Sequence, residues 1–355
     1  MAFQKKARTC ATCLTVLMSW GPLVARGGDL LVSSRFTNNV LRYDAMTGAF
    51  KSVFASGNGL ANPNGIAYGP DGNLYVGLGD EARVLRFHGQ TGEFMDEFIG
   101  PAAPGELVNC RAIAFGPDGN LYVNSGSGDQ VLKYDGRSAE FLGIAAQGHG
   151  MDGPVGLTFG PDGNLYVGAA LSNRVFVFDT SGGLVRTLAC GLSFSNAVGV
   201  LFDSTGRLLV AESSSNNVIA YNAATGSCLG LFASGGGLSV PIHMILASDG
   251  NLLVGSFGNY SVIKFDIRSG QPLGAFIPSG SGGLHGTHNF AHMPDPPPPI
   301  PTVSTWGLVV LTLAMLVAGS AIMRTRYFAR GNRSRSGGEE GGDRLGVEVG
   351  DDGFA

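Results

Sequence analysis

Gly69-Pro70-Asp71-Gly72-Asn73-Leu74-Tyr75-Val76 returns as Gly116–Val123 and again as Gly160–Val167. Looser copies are Gly28-Asp29-Leu30-Leu31-Val32, Gly206-Arg207-Leu208-Leu209-Val210 and Gly250-Asn251-Leu252-Leu253-Val254. The turn glycines Gly28, Gly72, Gly119, Gly163, Gly206 and Gly250 follow one another at gaps of 44, 47, 44, 43 and 44 residues. Pro-Asp-Gly is a turn with a mechanism: proline presets φ, aspartate bonds the local backbone, and glycine takes the positive-φ position. Seven residues separate each strand-ending valine from the first valine of a second apolar run, at Val40, Val84, Val131, Val175, Val218 and Val262.

Each unit therefore carries about four short β-branched and aromatic strands, which is the content and period of a propeller blade. Six units predict an all-β, six-bladed β-propeller over residues 28–294. The first unit starts at its second strand, and Gly286–Pro294 aligns with the strand that precedes each turn, so the two chain ends should complete one shared blade. Closure of that kind hides sheet edges. Composition agrees. The chain has 355 residues with 57 glycines and only 14% charged residues, and glycine costs about 1 kcal/mol at each helix-interior position. A net charge of −4 without a basic stripe argues against a nucleic-acid partner.

With Gly-Ile-Ala, Pro-Asp-Gly-Asn-Leu-Tyr-Val and the Asn-rich turns Asn38-Asn39, Asn173-Arg174 and Asn216-Asn217, the repeat resembles the NHL family of propellers. The Trp-Asp pairs of WD40 blades are absent, since Trp20 and Trp306 both lie outside residues 28–294. The NHL-like fold hosts scaffolds, binders and enzymes alike, so function must come from the positions that break the repeat. Before each Gly-Ile-Ala-like strand the slots read Asn64-Gly65, Arg111-Ala112, Val155-Gly156, Val198-Gly199, Ile242-His243 and His288-Asn289. The resemblance places such slots at one mouth of the central channel, so Asn64, Arg111, His243, His288 and Asn289 are the expected ligand-binding mouth. Of the slots just after the Leu-Tyr-Val strands, only Glu212 is ionisable.

The streptogramin B lyase propeller is a similar enzyme, and that resemblance implies a His followed fourteen residues later by a Glu in one unit. Here no unit keeps both: the pairs are Asn64/Leu78, Arg111/Ser125, Val155/Ala169, Val198/Glu212 and Ile242/Ser256. Acid/base chemistry needs two groups on one proton path. Resemblance to gluconolactonase-type propellers implies a divalent ion held by Glu, Asn and Asp oxygens, which Glu212, Asn64 and Asn289 imitate in part. His243 and His288 alternatively suit a transition metal. No cofactor is required by the sequence, and a divalent metal stays an open alternative. His285, His288 and His292 would share a face only on a helix, which the surrounding residues disfavour. Asp44, Asp135, Asp179 and Asp266 recur at one position in four of the six units and fit turn capping better than calcium binding. Of Cys110, Cys190 and Cys228, at most two pair. Cys110 reads as core, and no structural disulfide is expected.

The ends give an address. Residues 1–27 read as a cleavable signal peptide: Lys5, Lys6 and Arg8, an apolar stretch from Thr9 to Trp20, then Ala25-Arg26-Gly27. An uncleaved anchor is the alternative. Residues 295–305 form a Pro-rich linker, and Trp306–Met323 is an uncharged run of 18 residues, long enough for a transmembrane helix. Arg324, Arg326, Arg330, Arg333 and Arg335 then put residues 324–355 in the cytoplasm and the propeller outside. Ile300-Pro301-Thr302-Val303-Ser304-Thr305-Trp306-Gly307, with its span and arginines, resembles the bacterial IPTL-type C-terminal sorting signal, related to PEP-CTERM signals. That resemblance implies processing by an exosortase-type enzyme, although the chain continues beyond the basic cluster through an acidic, Gly-rich tail. A plain single-span anchor is the other reading. The sequence thus points to an exported, membrane-anchored or sorted propeller that acts as a non-catalytic module at the bacterial surface, binding a protein, peptide or glycan or serving as a scaffold. A metal-dependent lactonase or hydrolase, or a streptogramin-lyase-like enzyme, using His243, His288, Glu212 and Arg111, is the alternative.

Overall fold

A computed structural model describes residues 28–190 and 196–296. The expected signal peptide, most of the linker, the Ile300–Gly307 motif, the span and the tail lie outside the described residues. Among the described residues, no helix is long and apolar enough to cross a membrane. Among the described residues, helix is confined to three 3-10 turns, Arg35–Thr37, Phe257–Asn259 and Ser281–Gly283.

The described residues contain twenty-four strands in six four-stranded antiparallel sheets. Blade 1 joins the last strand, Thr287–His292, to Asp29–Ser34, Asn39–Asp44 and Phe50–Ser56. The ring is therefore closed as the repeat phase requires: Leu30 faces His292 and Val32 faces Phe290 across the junction. The innermost strands of blades 2 to 6 are Pro63–Tyr68, Cys110–Phe115, Pro154–Phe159, Ala197–Phe202 and Pro241–Leu246. With Thr287–His292 they make a circle in which each strand touches the innermost strand on either side.

Both faces of the second strands are buried, because blades stack face to face and each seam is an apolar core. Leu30, Val32 and Tyr43 of blade 1 pack with Leu253, Val262 and Ile277 of blade 6, while Leu31 and Val40 pack with Ile66, Val76 and Phe87 of blade 2. The decisive motif now has a physical reading. In Leu-Tyr-Val the Tyr hydroxyls of Tyr75, Tyr122 and Tyr166 donate to Asp71, Asp118 and Asp162 of their own turns at 3.1, 3.0 and 2.9 Å. Their rings stand edge-on to Phe115, Phe159 and Phe202 of the next blade, with centroids 4.9, 4.8 and 4.9 Å apart. One short word thus closes a turn and joins two blades. Gly72, Gly119, Gly163, Gly206 and Gly250 of these turns sit at φ between 76° and 81°, where a Cβ is disfavoured.

The Asn-rich turn is a second inter-blade device. Asn38, Asp129, Asn173 and Asn216 are all left-handed, and each side-chain oxygen accepts the backbone N–H of the residue feeding the next inner strand: Asn62, Gly153, Asn196 and Val240. We expect Asn216→Ala to destabilise by about 1–3 kcal/mol, since it leaves the Val240 N–H unpaired and puts an alanine at positive φ. Asn216→Gly should cost less. Urea midpoints ranked wild type, Gly, Ala would agree; Ala above Gly would refute the backbone part of the account.

The recurrent aspartates are turn caps. Asp44, Asp135 and Asp266 each accept two backbone N–H bonds from the following turn, and Asp179 accepts those of Ser181 and Gly183. The expectation of no disulfide is overturned. Cys190 is bonded to Cys228, with Cα atoms 5.3 Å apart. The bridge links the end of blade 4 to the outer strand of blade 5. A cysteine count could not show this, because the two residues occupy different repeat positions that meet only across a seam. Cys110 is buried and free in the seam with Tyr75 and Val84, and burial pushes its thiol up to about 12.

Candidate functional site

Every innermost strand is irregular where the repeat breaks. Register shifts fall between Pro63 and Ile66, Cys110 and Ile113, Pro154 and Gly156, Ala197 and Val200, and Pro241 and Met244, and opposite Val32–Ser34 on the closing strand. A bulge re-aims the side chains it carries. These bulges hold the sequence-predicted mouth residues: Asn64 in blade 2, Arg111 in blade 3, His243 in blade 6, His288 and Asn289 in blade 1.

Blades 6, 1, 2 and 3 are consecutive in the ring of six, so the polar residues form one contiguous arc of the mouth. Blades 4 and 5 supply Val155 and Val198 at the same slots, and these join the apolar core. The sequence could list the polar slots; their contiguity follows from ring closure.

His243 and His288 come from neighbouring inner strands, with ring centroids 5.2 Å apart. Both are buried. Both nitrogens of His243 and Nδ1 of His288 lack a hydrogen-bond partner, as does Oδ1 of Asn64. Burial pushes His243 down to about 4. His288 is held well below its ordinary value by burial, then by His243, Arg35 and Arg111. Both imidazoles are neutral at pH 7, each with one donor and one acceptor to offer. Asn64 is fully buried. Its Nδ2 donates to the Cys110 carbonyl at 3.3 Å, and its own carbonyl accepts Ser33 Oγ at 2.9 Å. Ser33 Oγ also accepts the Asn289 N–H at 2.8 Å, tying blades 1 and 2. The Asn289 side chain turns back onto its own strand, accepting the Phe290 N–H.

Arg111 is half-buried, and among the described residues it has no ion pair or hydrogen bond. Burial, followed by the positive charge of Arg35, lowers its pKa, with Asp80 opposing. Arg35 is itself paired with Asp80 at 3.3 Å. Arg111 is therefore the uncompensated cation of the mouth.

Glu212 does not join this group. Its repeat-equivalents Ser34, Ser125 and Ser256 each hold the backbone of the loop entering their blade's inner strand, at His285, Val108 and Ser239. Glu212 occupies the same clamp position in blade 5, packed toward blade 4, where it accepts a bond from Ser215 Oγ at 3.0 Å. Burial pushes its carboxyl up to about 7. No hydrogen bond or ion pair among the described residues links it to His243, His288 or Arg111.

The sequence reading missed an aromatic rim over the polar arc. Phe36, Phe257, Tyr260 and His285 lie in a chain of ring contacts: Phe36–Phe257 at 5.6 Å, Phe36–His285 at 5.2 Å, Tyr260–His285 at 4.1 Å and Phe257–His288 at 6.3 Å. Arg35 lies 5.8 Å from the Phe36 ring centroid. Phe36 is 47% exposed, so this is not core. The signal was present in the loops after the second strands, where blades 1 and 6 place Arg35-Phe36 and Phe257 against Gly79-Asp80, Gly126-Ser127, Ala170-Leu171 and Ser213-Ser214 elsewhere.

A divalent ion finds a poor donor set here. Among the described residues, no three His, Cys, Asp or Glu side chains gather, and the Glu212 carboxylate that would complete an oxygen set is in a seam. The histidine pair alone does not fit the ion-dependent site that the family resemblance implied.

The six-bladed ring is shared with known propellers. Similar solved structures include a nidogen–laminin complex (TM-score 0.59, 18% identity, 76% of this chain and 100% of that chain). A protein of unknown function from Bacteroides caccae matches with TM-score 0.59, 15% identity and coverages of 76% and 100%. A catalytically inactive virginiamycin B lyase from Staphylococcus aureus, crystallised with quinupristin, matches with TM-score 0.53, 14% identity and coverages of 68% and 82%. At such identities the likeness is one of fold. No protein-family profile matches the chain, and no curated protein does.

Proposed function

We propose that this chain is an exported propeller that binds, without transforming, a ligand at the polar arc of the mouth formed by blades 6, 1, 2 and 3. The observation that carries this reading is the separation of the acid from the bases. Two neutral, buried imidazoles sit under an aromatic rim, and Glu212 is spent on a seam. Recognition needs only the rim, the buried polar atoms and Arg111. Proton transfer needs two titratable groups within reach of one substrate.

The Cys190–Cys228 bridge supports export, since disulfides persist in oxidising compartments. In this reading the propeller stands outside the cytoplasm at the bacterial envelope. It is held by the 306–323 span or released after an exosortase-type enzyme acts at Ile300–Gly307, and it presents its mouth to a surface ligand. The competing enzyme reading keeps one point in its favour, the His288 imidazole in the slot where the lyase resemblance places a histidine.

The purified full-length chain separates the two. It should open neither quinupristin nor gluconolactone faster than buffer alone does, and it should bind a subset of an array of glycans and peptides. Phe257→Ala/Tyr260→Ala should weaken that binding at least about tenfold, as stacked rings at an interface carry 1–3 kcal/mol. Turnover of either compound that disappears in His288→Ala would replace binding by catalysis.

A further inference from the structure

Resting on that binding reading, the geometry points to the ligand's chemistry: an acidic saccharide of the hexuronate class, its ring on the Phe36–Phe257–Tyr260 rim and its carboxylate on Arg111. Three features converge on this class. The rim offers flat apolar faces with an exposed Phe36, suited to the C–H face of a sugar ring. Arg111 is the mouth's cation without a carboxylate, while Arg35 is matched by Asp80, and a guanidinium fork fits a carboxylate bidentately.

The third feature decides between a saccharide and an aromatic acid. Asn64 Oδ1, both nitrogens of His243 and Nδ1 of His288 are buried without partners. Together they ask for groups that both donate and accept. A run of ring hydroxyls does this; an aromatic side chain does not. Buried polar groups left unpaired cost about 1–3 kcal/mol each, so a polyol ligand gains where an apolar ring would lose.

The test is calorimetric titration of the purified full-length chain with trigalacturonate, its fully methyl-esterified form, maltotriose and a peptide ending in a Phe carboxylate. Trigalacturonate should give saturable heat, with the ester at least about tenfold weaker, the discrimination expected of one charged pair. Arg111→Gln should abolish the preference for trigalacturonate over its ester, and a melting temperature close to that of the wild type shows that the variant is folded. Tyr260→Ala should weaken acid and ester alike. Equal binding of acid and ester would overturn the Arg111–carboxylate pairing. Binding of the peptide in place of the saccharide would overturn the ligand class. An array with other ligands but no acidic glycan would also overturn the class while leaving the mouth a binding site. The binding reading itself falls only if the array is empty or turnover is found.

Discussion

Replacing Cys190 and Cys228 together by serine should lower the stability of the propeller by about 4 kcal/mol, the chain-entropy value for a bridge closing 38 residues. For a domain of this size that is a fall of roughly 10 °C in melting temperature. The bridge fastens blade 4 to blade 5 beside the stretch 191–195, so its loss acts on the seam where Glu212 is buried. Two controls make the result specific. A reducing agent should shift the wild type by the same amount and leave the double variant unmoved. Cys110→Ser should not change the response to reductant, because Cys110 is a free thiol buried in another seam. Identical melts with and without reductant would show that the bridge stabilises nothing.

The legible and illegible parts of this molecule divide along a physical line. Pro-Asp-Gly and Leu-Tyr-Val could be read because their chemistry is local. Asp71, Asp118 and Asp162 bond residues two and four positions on, and the period then supplies the ring. Closure could be read because Thr287–His292 falls in phase with the other inner strands. His243 and His288 stood out because they interrupt slots that are Gly, Ala or Val in several other blades.

What could not be read is what happens across seams. Cys190 and Cys228 share no repeat position, and the sequence says nothing of two outer edges meeting. Glu212 looked like a catalytic acid because it was the ionisable member of its slot. The meaning of that slot appears only when Ser34, Ser125 and Ser256 are seen gripping the incoming loops. The aromatic rim escaped for a related reason. Phe36, Phe257 and Tyr260 lie in turns outside the repeated strands, where a departure from pattern carries little weight until ring closure sets blade 6 beside blade 1.

The buried imidazoles and the buried carboxyl should pull stability in opposite directions as pH changes, and variants will show it as a change of sign. His243 has a folded value near 4 against an ordinary 6.5. Between those values the unfolded chain takes up the proton and the folded chain does not, so acidification through that window destabilises. At 1.36 kcal/mol per pH unit the full effect is on the order of 3 kcal/mol. His288, also depressed, adds in the same direction. Glu212 is raised to about 7 from 4.5, so the folded chain takes its proton first, and lowering the pH through that window stabilises by an amount of similar order. In the wild type the two effects offset, and the melting temperature should fall on going from pH 7 to pH 4.5 chiefly by the share of His288. Glu212→Gln removes the opposing effect: the protein should be more stable at pH 7.5 and lose stability more steeply toward pH 4.5. His243→Leu/His288→Leu removes the other side, and its melting temperature should rise as the pH falls. Scanning calorimetry of the three proteins at four pH values decides the matter. If the two variants respond to pH with the same sign and slope, the histidines and Glu212 are not the groups that set it. If they diverge as expected, the mouth keeps its imidazoles neutral at a cost in stability, which recognition of a hydroxylated ligand would offset when that ligand binds.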